Sequence, residues 1–186
     1  MIMGASAFAS SAYAADVGKT IVADAVSNNV GGIQFLGGST FSAANTASLF
    51  SDKYLFTLTG NYDASGTLSS TYLSTTPAQD LVITGYSLVK YGSSLEDIVG
   101  TYAGTPFPGS GAGTVDFWSF NANGLTAGNY YISVQGVVQG AGGGTYSSDV
   151  NLALAPVPEP ETYAMMVAGL GLLGFVARRK KNAKQA

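Results

Sequence analysis

Along residues 15–157 the apolar side chains tend to fall at every second position, in short runs broken by glycine, proline and asparagine. A period of two sends alternate side chains to opposite faces of an extended strand. The clearest run is Phe50–Thr59. Phe50, Asp52, Tyr54, Phe56 and Leu58 share one face; Ser51, Lys53, Leu55, Thr57 and Thr59 share the other. Similar runs predict strands at Thr20–Val26, Ile33–Leu36, Thr67–Leu73, Leu81–Tyr91 (bent at Gly85), Thr114–Asn121, Tyr130–Val138 and Tyr146–Leu154. Gly37-Gly38 should end the second of these, and the Ser, Thr and Asn of Phe41–Leu49 favour a loop or edge over a helix. A turn over Asn61–Gly66 would pair Phe56–Gly60 with Thr67–Leu73, and the glycines of Gly140–Gly144 would fold Tyr146–Leu154 back onto Tyr130–Val138. No internal repeat and no amphipathic helix interrupts this pattern. The fold class it predicts over 15–155 is all-β, an antiparallel β-sandwich or jelly roll of roughly eight strands.

The alternation stops at both ends. Met1–Ala14 is small and apolar, and Ala12-Tyr13-Ala14 before Ala15 has the small-x-small form of a signal-peptide cleavage site. This stretch is short and lacks a basic start, so the expectation is a true start upstream or a fragment. At the other end, Thr162–Ala177 carries no charged side chain and is followed by Arg178, Arg179, Lys180 and Lys181. As a helix, this run would reach roughly 24 Å, slightly short of a ~30 Å hydrocarbon core, with the arginines snorkelling to the far headgroups. The cations predict a cytoplasmic tail at 178–186 and an ectodomain outside. A transmembrane helix at 162–177 is thus expected after a short linker at 156–161.

Val157-Pro158-Glu159-Pro160 lies just before that run, where the prolines fix an extended, accessible backbone. The order of Pro-Glu-Pro, apolar run and basic stop resembles the PEP-CTERM sorting signal of Gram-negative bacteria. The resemblance implies an exosortase-type processing enzyme as partner, with transient residence in the inner membrane and the ectodomain in the periplasm. It then implies transfer to the cell surface or extracellular matrix, with exopolysaccharide of the biofilm layer as a further candidate partner. Phe50-x-Asp52-x-Tyr54 also looks like the motif of an FxDxF-type subfamily of these proteins, with Tyr54 in place of the final Phe. That resemblance implies no activity.

Charge narrows the chemistry. Five of the eight cations sit in the tail; residues 15–157 keep Lys19, Lys53 and Lys90 against nine acids, a formal charge of −6. Such a domain offers no electrostatic footprint for nucleic acid. With no cysteine and no histidine, a disulfide framework, a Ser-His-Asp triad and imidazole zinc sites are all excluded. No cofactor or metal is expected. Asn61-Tyr62-Asp63-Ala64-Ser65-Gly66 imitates a calcium loop, but Tyr72 stands where the bidentate Glu belongs. Gly169, Gly171 and Gly174 fit a dinucleotide pattern only inside the apolar run, with no strand before them. Adjacent Glu96 and Asp97 point apart on a strand, a poor glycosidase pair.

Asp52 is the odd member of an aromatic row. Capping the preceding loop through backbone N–H bonds, contacting calcium or a ligand, and lying at a wet strand end are the alternatives for it. Three readings of the domain follow. The first is a non-enzymatic surface or matrix protein; the second is a carbohydrate-binding module stacking sugars on exposed Trp118, Tyr130 or Tyr146. The third is a hydrolase using two carboxylates such as Asp52 and Asp116.

Overall fold

The even-numbered aromatic row of Phe50–Leu58 is buried along its whole length, and two sheets close around it. The computed structural model describes residues 17–23, 25–27, 33–155 and 164–173. In chain order the strands are β1 (Thr20–Val22), β2 (Ala25–Ser27), β3 (Ile33–Phe41), β4 (Leu49–Leu58), β5 (Tyr62–Ser70), β6 (Tyr72–Leu73), β7 (Gln79–Tyr91), β8 (Ile98–Ala103), β9 (Thr105–Pro106), β10 (Phe117–Leu125), β11 (Gly128–Val138) and β12 (Gly144–Leu154). One sheet runs β1-β4-β11-β7-β6, with β8 also pairing with β7; the other runs β2-β3-β12-β5-β10-β9. Every pairing is antiparallel except β1 on β4. The result is the expected all-β fold with two antiparallel-rich sheets.

Aromatic contacts join the two inner faces. Phe35 of β3 meets Phe56 of β4 at 4.3 Å between ring centroids, and Phe41 meets Phe50 at 4.6 Å. Phe50 also stacks on Tyr146 of β12 at 5.7 Å, and Tyr86 of β7 meets Phe120 of β10 at 5.1 Å. Large rings need small neighbours in a packed interior. Phe50 lies opposite Gly136 on β11, and Phe120 lies opposite Gly66 on β5. A Cβ at 136 would stand 2.5 Å from Phe50 Cζ; one at 66 would strike the Phe120 ring and come within 2.7 Å of the Tyr86 hydroxyl. Glycine there makes space for the partner's ring, one of the few reasons to hold glycine inside a strand.

Four expectations are corrected. Thr20–Val26 is two strands: β1 adds to the first sheet and β2 to the second, so the chain changes sheets between them. Gly37-Gly38 does not end β3, which continues to Phe41; the Tyr54 ring fills the space over Gly37, and the Gly38 N–H donates to the Tyr54 hydroxyl at 2.9 Å. Asn61–Gly66 is no hairpin turn. Residues 62–66 are already β5, with Ala64 and Gly66 facing in, and the chain crosses to the other sheet just before them. Finally, β12 pairs with β3 and β5, and β11 lies in the opposite sheet. The glycine turn between them is held by the start of β7: Gln139 and Gly140 N–H groups donate to the Asp80 carbonyl, and Asp80 N–H donates to Gly143. A period-two pattern identifies a strand and its inner face, but carries no information about which sheet it joins.

Met1–Ala155 and Pro156–Ala186 form separate units. The second contains a helix over 164–173, all of whose side chains are exposed within the chain. Its ten residues reach about 15 Å, half of a hydrocarbon core. Among the described residues no helix is long and apolar enough to cross a membrane, so the span expected at 162–177 is not seen at that length. Residues 162, 163 and 174–177, and the stop Arg178–Lys181, lie outside the described residues, as do residues 1–14 with Ala12 and Ala14, Ala15, and the motif Val157–Pro160.

The glycine–ring pairs make a direct prediction. Gly136→Ala and Gly66→Ala should each lower stability by about 1–3 kcal/mol through overpacking. Gly100→Ala, where a Cβ meets nothing within 4 Å, should be close to neutral. Denaturant midpoints of the three variants check this, and equal midpoints would contradict it.

Candidate functional site

Asp52 is completely buried, and its carboxylate has three donors. The Lys19 backbone N–H donates to Oδ1 at 2.8 Å, while the hydroxyls of Ser39 and Tyr146 donate to Oδ2. The chain of bonds continues outward: the Tyr54 and Tyr146 hydroxyls lie 2.8 Å apart, and Tyr54 accepts the Gly38 N–H. Burial first, and then the Asp52 carboxylate, hold the Tyr146 phenol far above its usual range, so it remains a proton donor. Lys19 closes the group, its Nζ donating to the Gly38 carbonyl at 2.8 Å and lying 5.7 Å from the Tyr54 ring centroid. Asp52 does accept a backbone N–H, as a cap would. The donor belongs to Lys19, far away in sequence, rather than to the loop preceding β4.

Asp116 is also completely buried, just before β10. Ile83 N–H donates to its Oδ2 at 2.5 Å, and Gly111 N–H donates to Oδ1. Asp80, on β7, accepts the Gly113 N–H at 2.9 Å through Oδ2. Two carboxylates therefore hold the glycine loop that precedes β10, and amide N–H groups point at them where a cation would need open lone pairs. Asp80 Oδ1 has no partner among the described residues. Asp52 and Asp116 share none of their hydrogen-bond partners and neither faces a cleft, so they are not a facing catalytic pair. Among the described residues no group of three or more metal-ligating side chains occurs. Asp63, in the false calcium loop, accepts the Gly124 N–H at 2.7 Å.

The proposed sugar platforms fare unequally. Tyr130 and Tyr146 are buried, Tyr130 stacking on Phe56 at 5.9 Å and Tyr146 on Phe50, so neither ring face is open to a sugar. Their alternation put them in strands, and alternation alone does not tell an inner tyrosine from an outer one. Trp118 is half-buried against the core. The exposed aromatic on β10 is its neighbour Phe117, which sequence reasoning passed over; its odd position beside inward-facing Trp118, Phe120 and Ala122 was the available signal.

Two predictions follow from the carboxylates. Asp52→Asn should be tolerated better than Asp52→Leu, because the Ser39 and Tyr146 hydroxyls can turn and accept from an amide. Leucine leaves the buried Tyr146 hydroxyl and the half-buried Lys19 and Ser39 donors without this acceptor, at about 1–3 kcal/mol for the buried one and less for the others. Equal loss of denaturant midpoint in the two variants would refute this role. Asp116 responds to pH. Burial, above all, raises its carboxyl above the ordinary value of 3.8; the Ile83 and Gly111 bonds pull it down, and the Asp80 charge raises it again. Folding thus favours the protonated form. That stabilisation is fully present below the ordinary value and is lost as the pH rises through the raised one. The stability margin of wild type over Asp116→Asn should narrow as the pH rises from below the ordinary carboxyl value of 3.8 through the raised one. A constant or widening margin in thermal midpoints would contradict it.

Comparison with known proteins separates the two units. No curated protein sequence matches the chain. Among solved structures, PliG from Aeromonas hydrophila, a periplasmic lysozyme inhibitor of g-type lysozyme, aligns with 75% of this chain and 100% of its own, at 13% identity and a TM-score of 0.37. A score of that size does not define a shared fold. The tail gives the definite result: residues 156–181 match the PEP-CTERM protein-sorting motif, which implies an exported protein sorted at a membrane by an exosortase.

Proposed function

We propose that this chain is an exported, non-enzymatic protein of the FxDxF-type PEP-CTERM group. Its tail holds it in the inner membrane with the β-domain in the periplasm. An exosortase-type enzyme then cuts the tail, and the domain passes to the cell surface or extracellular matrix, taking a structural or adhesive part in the exopolysaccharide of a biofilm. The observation that carries this reading is the sorting-motif match at 156–181, which coincides with Pro158-Glu159-Pro160, the apolar run and the four-cation stop. The helix over 164–173 lies inside that apolar run. Anchoring requires it to extend through 162–177 in the bilayer, with Arg178 and Arg179 reaching the headgroups.

A non-enzymatic role is supported by the state of the carboxylates: Asp52 and Asp116 are buried and occupied by donors that hold strands and loops. The subsidiary FxDxF assignment gains a physical rationale from the same cluster. Phe50, Asp52 and Tyr54 all face the core, the rings packing across the sheets and the carboxylate binding both the N-terminal segment and the opposite sheet.

Recognition and arrest have different physics, and variants can separate them. A protease needs an extended, stiff segment outside the bilayer, which paired prolines supply. Arrest needs apolar length and a cationic stop, since each charge costs several kcal/mol to move through hydrocarbon. Replacing Pro158, Glu159 and Pro160 by alanine should leave full-length protein in the inner membrane. Neutralising Arg178, Arg179, Lys180 and Lys181 should instead weaken arrest or orientation. Fractionation with a size readout, in a host carrying the sorting protease, distinguishes these. A triple-alanine form that is still shortened and released would overturn the sorting reading.

A further inference from the structure

The outer face of the second sheet is poor in charge. Across β3, β12, β5 and β10 the outward positions fall into register as rows. One row is Gly38, Ser147, Ser69, Phe117; the next is Leu36, Asp149, Thr67, Ser119. None of the four strands contains a lysine, arginine or glutamate. Hydroxyl groups floor these four strands, and two large apolar side chains rise from them, Leu36 at 59% exposed and Phe117 at 52%; exposed Phe107, just after β9, lies alongside, its N–H donating to the Phe117 carbonyl. Leu36 and Phe117 stand on β3 and β10, three strand spacings or about 14 Å apart. Between them lies an open trough of about 500 Å³, lined also by Thr67, Ser69, Ser147 and Asp149.

The floor is held in place. Gln34 Nε2 donates to Asp149 Oδ2, and Asn151 Nδ2 donates to Oδ1 at 2.7 Å, fixing the carboxylate from both sides. Ser69 and Ser147 hydroxyls lie 3.4 Å apart across the strand pair. Each occupant class meets a specific obstacle or fit. Phosphate, sulfated polymer or nucleic acid finds one fixed negative charge and no cation on these four strands; the nearest ammonium, Lys19 Nζ at the edge of β3, is taken up by the Gly38 carbonyl. A metal ion finds a single carboxylate here, and no group of three or more metal-ligating side chains occurs among the described residues. An apolar helix or strand face finds two apolar anchors standing in a field of hydroxyls, too little apolar area for docking. A neutral polyhydroxylated ring fits both elements. In a chain of two or more such rings, the C–H face of one packs on Phe117 and that of another reaches Leu36, while hydroxyls between them donate to Asp149 and exchange bonds with Thr67, Ser69 and Ser147.

We propose that this trough is a binding site for a neutral glycan, with Phe117 as the stacking residue and Asp149 as the main acceptor. The inference rests on the reading of the domain as extracellular, but its test does not involve the tail. The full chain, kept in a sugar-free non-ionic detergent, is run through native gels containing dextran, laminarin, hydroxyethyl cellulose or locust-bean galactomannan, with alginate as an anionic control. At least one neutral polymer should retard the wild type, and alginate should not. Phe117→Ala and Asp149→Ala should each reduce that retardation at least several-fold. Thr57→Ala, on the outer face of the other sheet, should leave it intact. Denaturant midpoints within error of wild type establish that the variants remain folded; should Asp149→Ala fall below that standard, Phe117→Ala together with Leu36→Ser provides the decisive comparison. Retardation by no neutral polymer, retardation by alginate, or retardation unchanged in folded Phe117 and Leu36 variants would overturn the proposal. None of those results bears on processing at Pro158–Pro160, so the two readings fail separately.

Discussion

The bond between Asp52 and its three donors is the constraint around which the domain closes. A carboxylate inside an aromatic row would be strongly destabilising if left alone. Its donors come from three different places in the chain: Lys19 before β1, Ser39 on β3 and Tyr146 on β12. Each therefore has a fixed position relative to β4. The first ties down the start of the domain, where β1 adds to β4 as the sole parallel strand. The other two join β4 to the facing sheet, beside the Phe50–Tyr146 and Phe41–Phe50 ring contacts. Polar and apolar contacts therefore meet at one place, and a shift in the register of β4 would break both kinds together. Tyr54, which replaces a Phe of the resembled motif, extends the cluster through its hydroxyl to Tyr146 and Gly38.

How the strands connect depends on the same economy of side chains. The chain passes from sheet to sheet between β1 and β2, β3 and β4, β4 and β5, β5 and β6, β8 and β9, β10 and β11, and β11 and β12. Such crossings need anchors at their corners. The last is held by Asp80 backbone groups on β7, and the glycine loop before β10 is held by the Asp116 and Asp80 carboxylates. With no cysteine available, carboxylate–amide bonds do the cross-linking that disulfides provide in many exported domains.

Much of this was legible in the residues. Period-two alternation identified β4, its buried face and the all-β class, and absent histidine and cysteine removed whole families of chemistry. Composition also isolated the tail, whose three-part order was specific enough to name the sorting motif later matched at 156–181. The failures have one physical origin. Alternation reports the local pleat, whereas sheet membership depends on long-range pairing. Thr20–Val26 was accordingly read as one strand, and β12 was assigned to β11 when it belongs between β3 and β5. Tyr130 and Tyr146 were misplaced for a related reason: an amphipathic phenol suits a surface or a core with a hydrogen-bond partner, and here Thr126 O and Asp52 supply those partners. Phe117 was missed because the adjacent tryptophan drew attention to the inward face of the same strand.

The distribution of charge links the domain to its tail. Asp52, Asp63, Asp80, Asp97 and Asp116 each accept a backbone N–H, so most of the domain's acids are structural anchors. The four strands β3, β12, β5 and β10 carry no lysine, arginine or glutamate, and their outer face is a surface of hydroxyls from which Leu36 and Phe117 rise. The cations are concentrated elsewhere, at Arg178–Lys181 and Lys184. The bonds named here that anchor the core lie among the described residues up to Ala155, whose own N–H donates to the Asn61 carbonyl at 3.1 Å. Cutting the chain at the Pro-Glu-Pro segment would therefore remove the membrane address and most of the positive charge while leaving every named core contact in place.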